Sequence, residues 1–376
     1  MLLRLTHIAF VAVLLAALVS CENNSAIKHK GGDTLDIQYS RLLTIERCEG
    51  YKLVTVADPW KENAVLHRYA LVERNSAIPS GLDADVTVLR VPLKKICVST
   101  SVHVNVFKQL NALENVASVC DTEYILDSLV LARVKNGIIG NAGSSMNPNI
   151  EQIIAFDTDA LLMSPFKGTS YGLLEKTGLP IVECADYMET SALGRAEWIK
   201  FYGMLVGKES QSIEYFNGVR DRYLKLKTAA AKTARRPRLL VDMLNGSTWF
   251  QPGGNSIYGA MFRDAAADYS MGRKDVSGTQ ALSLESVMKQ SLDADVWLIK
   301  YGRTQDYTYQ SLAGQNKAYT RFKAYKTHKI FGCNTFKTAY YDEVPFRPDL
   351  LLADLVEIFH PGLLPNHKLN YYLPLD

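Results

Sequence analysis

The sequence predicts an α/β protein made of two lobes with one long helix between them. Three observations carry that prediction. Strand and helix patterns alternate from Val91 to Glu183. A helical stretch follows, and its part from Ser210 to Thr233 contains no proline. The alternation then resumes at Leu239, in an order that echoes the first half.

The chain begins with a different signal. Arg4 precedes an unbroken apolar run from Ile8 to Val19. That run is too short to span a bilayer core, which needs about 20 residues, and has the shape of a secretory signal peptide. Leu18-Val19-Ser20-Cys21 resembles the bacterial lipoprotein box. The resemblance implies cleavage before Cys21 and its lipidation, with several acyl chains giving stable anchoring. The polar, Gly-containing stretch to residue 34 reads as a tether.

Tyr51 to Val56 is β-rich and ends at Asp58-Pro59, and Leu66 to Val72 suits its hairpin partner. Leu93 to Val98 reads as a strand and Val104 to Leu113 as an amphipathic helix. A Gly/Ser/Asn loop spans 137–149, a short helix Glu151 to Phe156, and strands Ala160 to Met163 and Leu179 to Glu183. Helical spacing continues through Leu193, Trp198, Phe201, Tyr202 and Leu205, then through Ile213, Phe216, Val219, Tyr223 and Leu226. The basic residues from Lys232 to Arg238 suit a solvated helix end. Leu239 to Met243 and Val296 to Ile299 are further strands. The expected organisation is a signal peptide over 1–20, lipidated Cys21 and tether over 21–34, and an N-terminal lobe with added strands over 35–205. A linking helix over 206–233 and a C-terminal lobe over 234–376 complete it.

Composition narrows the function. The 376 residues hold 42 Lys+Arg and 39 Asp+Glu, a net charge of +3. That leaves no general nucleic-acid footprint. Six cysteines are too few for a disulfide scaffold, and Cys97, Cys120 and Cys184 lie in apolar runs suited to buried thiols. The histidines lack close metal-ligand spacing, and His103 suits a cap or core position. No nucleophile elbow, zinc-protease motif or Walker loop occurs, so no enzyme and no cofactor is expected.

The two halves match in detail. Asn149-Ile150-Glu151 opens a helix that is followed by Asp157-Thr158-Asp159 and a buried strand. Ser283-Leu284-Glu285 opens a helix that is followed by Asp293-Ala294-Asp295 and a buried strand. Lys94 to Val98 is echoed by Pro237 to Val241. A carboxylate in a first helical turn has a local explanation in the helix dipole, but that does not explain its recurrence in both halves.

On these motifs, together with Leu193-Gly194-Arg195-Ala196-Glu197-Trp198 and Gly207-Lys208-Glu209, the sequence resembles the substrate-binding lipoproteins of ABC importers. The branch is that of the iron-complex (siderophore or haem) and cobalamin receptors. The resemblance covers roughly Leu93 to Leu355. It implies the class III periplasmic-binding-protein fold, two Rossmann-like lobes joined by a single long helix. It also implies that Glu151 and Glu285 dock to an ABC permease dimer served by a separate ATPase. A ligand would lie between the lobes, on loops after the strand ends. The residues this points to are Ser99, Tyr124, Ser144 and Phe166 in the first lobe. In the second they are Trp249, Gly254, Asn255, Tyr258, Tyr301 and Arg303, with Trp249 the strongest candidate. The expected ligand is an iron chelate, haem or cobalamin, and the expected location is the cell envelope, held by the lipid anchor on the periplasmic or outer surface. The alternative is a surface lipoprotein that binds another ligand, or scaffolds a partner, without a transporter.

Overall fold

The computed structural model describes residues 33–376 apart from residue 169. The leader, Cys21 and most of the tether lie outside the described residues. An N-terminal sheet comes first, its longer strands being β1 (Leu43–Cys48), β2 (Tyr51–Ala57), β3 (Val65–Glu73) and β4 (Val86–Val91). β1, β2 and β3 pair antiparallel, and β4 joins β3 in parallel. The tight β1–β2 turn uses Gly50 at φ +80°, a left-handed conformation that costs glycine little.

The first lobe is a parallel sheet of β5 (Ile96–Val98), β6 (Val116–Val119), β7 (Gly140–Asn141), β8 (Ala160–Met163) and β9 (Ile181–Glu183), in the order β9-β8-β5-β6-β7. β5, β6 and β8 are buried along their whole length, as expected of strands covered on both faces. Helices α1 (Ser101–Gln109), α2 (Ser128–Lys135) and α3 (Ile150–Ala155) connect them.

The helical stretch is broken rather than continuous. α4 (Ala192–Glu197) and α5 (Ile199–Leu205) belong to the first-lobe core, and α6 (Glu209–Ala231) runs on towards the second lobe. The break falls at Gly207, whose φ of +70° does not continue a helix. The second lobe has β10 (Leu239–Val241), a ribbon of β11 (Leu244–Asn245), β12 (Thr248–Pro252) and β13 (Thr279–Leu282), then β14 (Val296–Tyr301), β15 (Ile330–Asn334) and β16 (Leu373–Pro374). Its main sheet has the order β10-β14-β15-β16, parallel except for β16. Helices α7 (Ile257–Asp264), α8 (Leu284–Ser291), α9 (Tyr340–Glu343) and α10 (Pro348–Phe359) pack around it.

The echo in the sequence has a physical basis. Asp159 accepts hydrogen bonds from the amides of Lys94 (2.6 Å) and Lys95 (3.1 Å), and its own amide donates to Lys95 O. Asp295 accepts from the amide of Arg238 (3.0 Å), and its amide donates to Arg238 O. Each aspartate therefore fastens the start of its lobe's first strand. Burial raises both carboxyls, but the amides and nearby cations outweigh it and lower them.

The lobes meet at more than α6. Phe346 joins the first-lobe core against Tyr202 (ring centroids 5.9 Å), whereas Tyr340, six residues earlier, is in the second-lobe core. The five consecutive amides from Gln38 to Leu42 donate to two carboxylates, Glu197 (Gln38, Tyr39, Ser40) and Glu189 (Arg41, Leu42). Among the described residues five thiols are free, with Cys97, Cys120, Cys184 and Cys333 buried and Cys48 partly so. Among the described residues no helix is long and apolar enough to cross a membrane.

Candidate functional site

The first-lobe wall of the inter-lobe cleft is built on a buried charge. Asp186, 0% exposed, accepts from Tyr202 OH (2.8 Å) and Arg195 Nε (2.9 Å), and its Oδ1 lies 2.8 Å from His103 Nε2. His103 Nδ1 meets Thr100 Oγ1 at 2.8 Å, so the ring is held at both nitrogens within the core. Burial would raise the Asp186 carboxyl, but His103 and Arg195 overcome this and hold it at about 2. Arg195 is thereby fixed by its Nε. Glu189, also on this wall, is occupied by the Arg41 and Leu42 amides, Trp198 Nε1 (3.0 Å) and Ser40 Oγ.

The second-lobe wall is built on aromatics. Trp249 Nε1 donates to Val241 O (2.8 Å) and Trp297 Nε1 to Asp242 O (2.7 Å), so two stacked indoles (centroids 5.9 Å) hold the turn that leaves β10. Asp242 sits there at φ +60°. Lys300, near the end of β14, places its ammonium over the rings of Tyr258 (5.3 Å), Tyr340 (5.3 Å) and Tyr341 (5.8 Å). Burial would lower this amine, but Asp242, Tyr258, Tyr341 and Cys333 together outweigh it and the amine is raised. Asp242 itself is raised by burial, partly offset by Lys300.

These walls enclose a cavity of about 480 Å³. Tyr187, Met188, Glu189, Thr190 and Arg195 come from the first lobe. Asp242, Phe250, Gln251, Tyr258, Ser277, Thr279 and Lys300 come from the second. A second cavity of about 310 Å³ opens where α9 meets α1. There Ser101 Oγ donates to Asp342 Oδ1 (2.5 Å) and Asn105 Nδ2 to Asp342 O (2.8 Å) across the lobes.

Of the ligand residues expected from sequence, Tyr258 lines the larger cavity, and Phe166 packs beside its Tyr187 (6.4 Å). Trp249 does not line it. It is 0% exposed, because β12 alternates and turns Phe250 outward instead. Gly254 is a packing glycine, since a Cβ there would stand 2.3 Å from Gly272 O. Asn255 is exposed, one residue before the cavity's Ser256. Tyr301 meets Tyr307 edge to face (4.7 Å) and Arg303 lies over the Tyr307 ring (4.3 Å), in a polar cluster with Asp306 and Asn334 outside the cavity lining. Ser99 is buried and its hydroxyl has no partner. Ser144 is exposed in the ribbon of Gly143–Ser144 with Asn147–Pro148, and Tyr124 is 67% exposed, next to the second cavity's Ile125. Glu151 and Glu285 are exposed in the first turns of α3 and α8, whose starts are capped by Asn149 and Ser283.

Tyr187, Arg195, Asp242 and Lys300 were not singled out as ligand contacts. Asp242 and Lys300 had a readable signal, since each is a charged residue at the C-terminal end of an otherwise apolar parallel strand. Arg195 had none, because only the fold brings it beside Asp186.

This architecture is that of the bacterial solute receptors. Residues 108–335, more than half of the chain, match the profile of the periplasmic binding protein family, and the chain belongs to it. An uncharacterized lipoprotein of Methanocaldococcus jannaschii is 26% identical over 340 residues, covering 84% of this chain and 79% of the relative. The periplasmic haem-binding protein HutB of Vibrio cholerae shares the fold at a TM-score of 0.58 and 14% identity, over 71% of this chain and 99% of that one. The molybdate-binding protein MolA of Haemophilus influenzae does so at 0.58 and 16%, over 75% and 90%. The resemblance read from the sequence therefore holds for family and for the two-lobe α/β fold. The family is one of solute-binding proteins of ABC transporters, not of enzymes.

Proposed function

We propose that the protein is the receptor of an ABC importer that captures an iron complex, haem or cobalamin between its lobes and delivers it to the permease. The observation that carries this reading is the cavity of about 480 Å³ walled by both lobes. Its size falls within the range of roughly 300–1,000 Å³ typical of small-molecule sites. A bare ion would leave it mostly empty, since one water takes only about 30 Å³. Among the described residues no group of three or more His, Cys, Asp or Glu side chains is placed to hold a metal ion directly, so a chelate suits the site better. The fold neighbours that bind haem or molybdate favour a metal-containing ligand.

In this reading Glu151 and Glu285 are the two docking carboxylates, one per lobe, and Cys21 carries the lipid. Interface charges of this kind set register and encounter rate. Titration with haem, a ferric siderophore and cobalamin, followed by tryptophan fluorescence, tests the ligand. Saturable binding of one of the three is expected, and binding of none would refute the assignment. Changing Glu151 and Glu285 together to Ala should abolish uptake with ligand affinity intact. Normal uptake by that double variant would remove the docking claim.

A further inference from the structure

We propose that the ligand presents an anionic oxygen group to the cavity, gripped between Lys300 of the second lobe and Arg195 of the first. The proposal rests on the inter-lobe cavity being the ligand site, as argued above, and specifies the chemistry that site selects.

Lys300 carries its charge into the cavity wall with little to satisfy it. Three tyrosine faces attract the ammonium electrostatically, but they replace few of the hydrogen bonds its three N–H donors would make in water. Among the described residues no carboxylate oxygen comes within 4.0 Å of it. Arg195 is a complementary case. Its Nε is committed to Asp186, which fixes the guanidinium plane, while its two Nη groups have no acceptor among the described residues. A fixed plane with free terminal donors is suited to an oxyanion or a carboxylate.

The acids lining the cavity do not cancel these two cations. Glu189 is saturated by donors from its own lobe. Asp242 supports the Lys300 charge electrostatically but makes no ion pair within 4.0 Å among the described residues, so the ammonium's hydrogen-bond donors stay unspent. The unspent hydrogen-bonding capacity of the cavity is therefore mainly donor capacity, with the hydroxyls of Ser277 and Thr279 nearby. Because the two cations come from opposite lobes, an anionic group held by both would also tie the lobes together, which is how a hinged receptor gains affinity on closing.

A free oxyanion and the carboxylate or phenolate edge of a chelate share this chemistry, and the test separates them. Equilibrium binding to the full-length protein in detergent micelles is measured for molybdate, for ferric citrate and for a charge-neutral ferric trihydroxamate. At least one of the two anionic probes should bind. Lys300→Met should weaken it tenfold or more, Lys300→Arg should restore most of the affinity, and any binding of the neutral chelate should not change. Arg195→Lys, which keeps a bond to Asp186, should weaken the anion several-fold. Binding of the neutral chelate alone would overturn the anionic inference and leave the receptor reading standing. Binding of molybdate without either iron chelate would do the reverse. Anion affinity unchanged within twofold in Lys300→Met, with an unchanged melting temperature, would overturn the role of Lys300. Failure of all three probes would count against both readings.

Discussion

In the first lobe, β8 lies parallel to β5 with Ala160 opposite Ile96. In the second, β14 lies parallel to β10 with Val296 opposite Leu239. Both lobes have a capped helix with a glutamate in its first turn, and both have an aspartate fastening the first strand. They part company where β5 and β10 end. After β5 the chain turns at Ser99 and Thr100 directly into α1, and the cleft wall is set by the buried Asp186 with His103 and Arg195 bonded to it. After β10 it enters the ribbon of β11 to β13, and the wall is set by Trp249 and Trp297 packed on Tyr319 and Phe322. The difference teaches that the shared frame is fixed by backbone clamps, while each lobe is free to stiffen its cleft wall by a different chemistry.

The comparison can be broken in order of size. Trp297→Ala should cost about 3–5 kcal/mol, the range for emptying a buried indole, and should also free the β10 turn. Urea denaturation measures it, and a loss below about 1 kcal/mol would deny the aromatic wall its structural role. Asp186→Ala should cost about 3 kcal/mol, because it leaves the Arg195 cation beside a vacated partner. The same carboxyl has a pH signature. Its pKa is depressed in the folded state, so its contribution is full above the unfolded value near 3.8 and is lost as pH falls towards 2. The share at stake is about 2 kcal/mol. Melting curves of the protein and of D186N should therefore converge in that window, and parallel curves would contradict the assignment. Asp159→Ala and Asp295→Ala sharpen the likeness instead. Each should cost about 1–2 kcal/mol for the bonds its carboxylate accepts, from the Lys94 and Lys95 amides at Asp159 and from the Arg238 amide and Lys323 Nζ at Asp295, with the two values agreeing to about 0.5 kcal/mol. The smallest effect is expected for Glu151→Ala and Glu285→Ala, below about 0.5 kcal/mol in stability, since both are exposed and neither side chain has an ion-pair partner among the described residues.

The repeated frame was legible in the sequence because its signals are local. A cap, a first-turn glutamate and an Asp-x-Asp before an apolar strand each act within a dozen residues. The cleft was less legible, for two physical reasons. Trp249 reads in sequence as a loop residue beside the Gly253-Gly254 turn, whereas it lies in β12, whose alternation turns Trp249 into the core and Phe250 outward. In the first lobe the wall depends on Asp186, Arg195, His103 and Tyr202, which come from separate elements and meet only in the folded chain. The break at Gly207 falls between the two runs of helical spacing read in the sequence, whereas the one at Trp198, between α4 and α5, lies inside a run with unbroken helical spacing.

The clamp at Gln38 to Leu42 has a mechanical consequence. Five adjacent amides grip two carboxylates, so a pull along the chain ahead of Gln38 that overcomes the Leu35 amide bond to Ile45 O and the Lys200 bond to Asp36 O is next borne by this clamp. That load arrives at Glu197 and Glu189, and Glu189 also lines the inter-lobe cavity. A receptor leashed by its N-terminal end would thus transmit tension on the leash directly to the rim that holds its cargo.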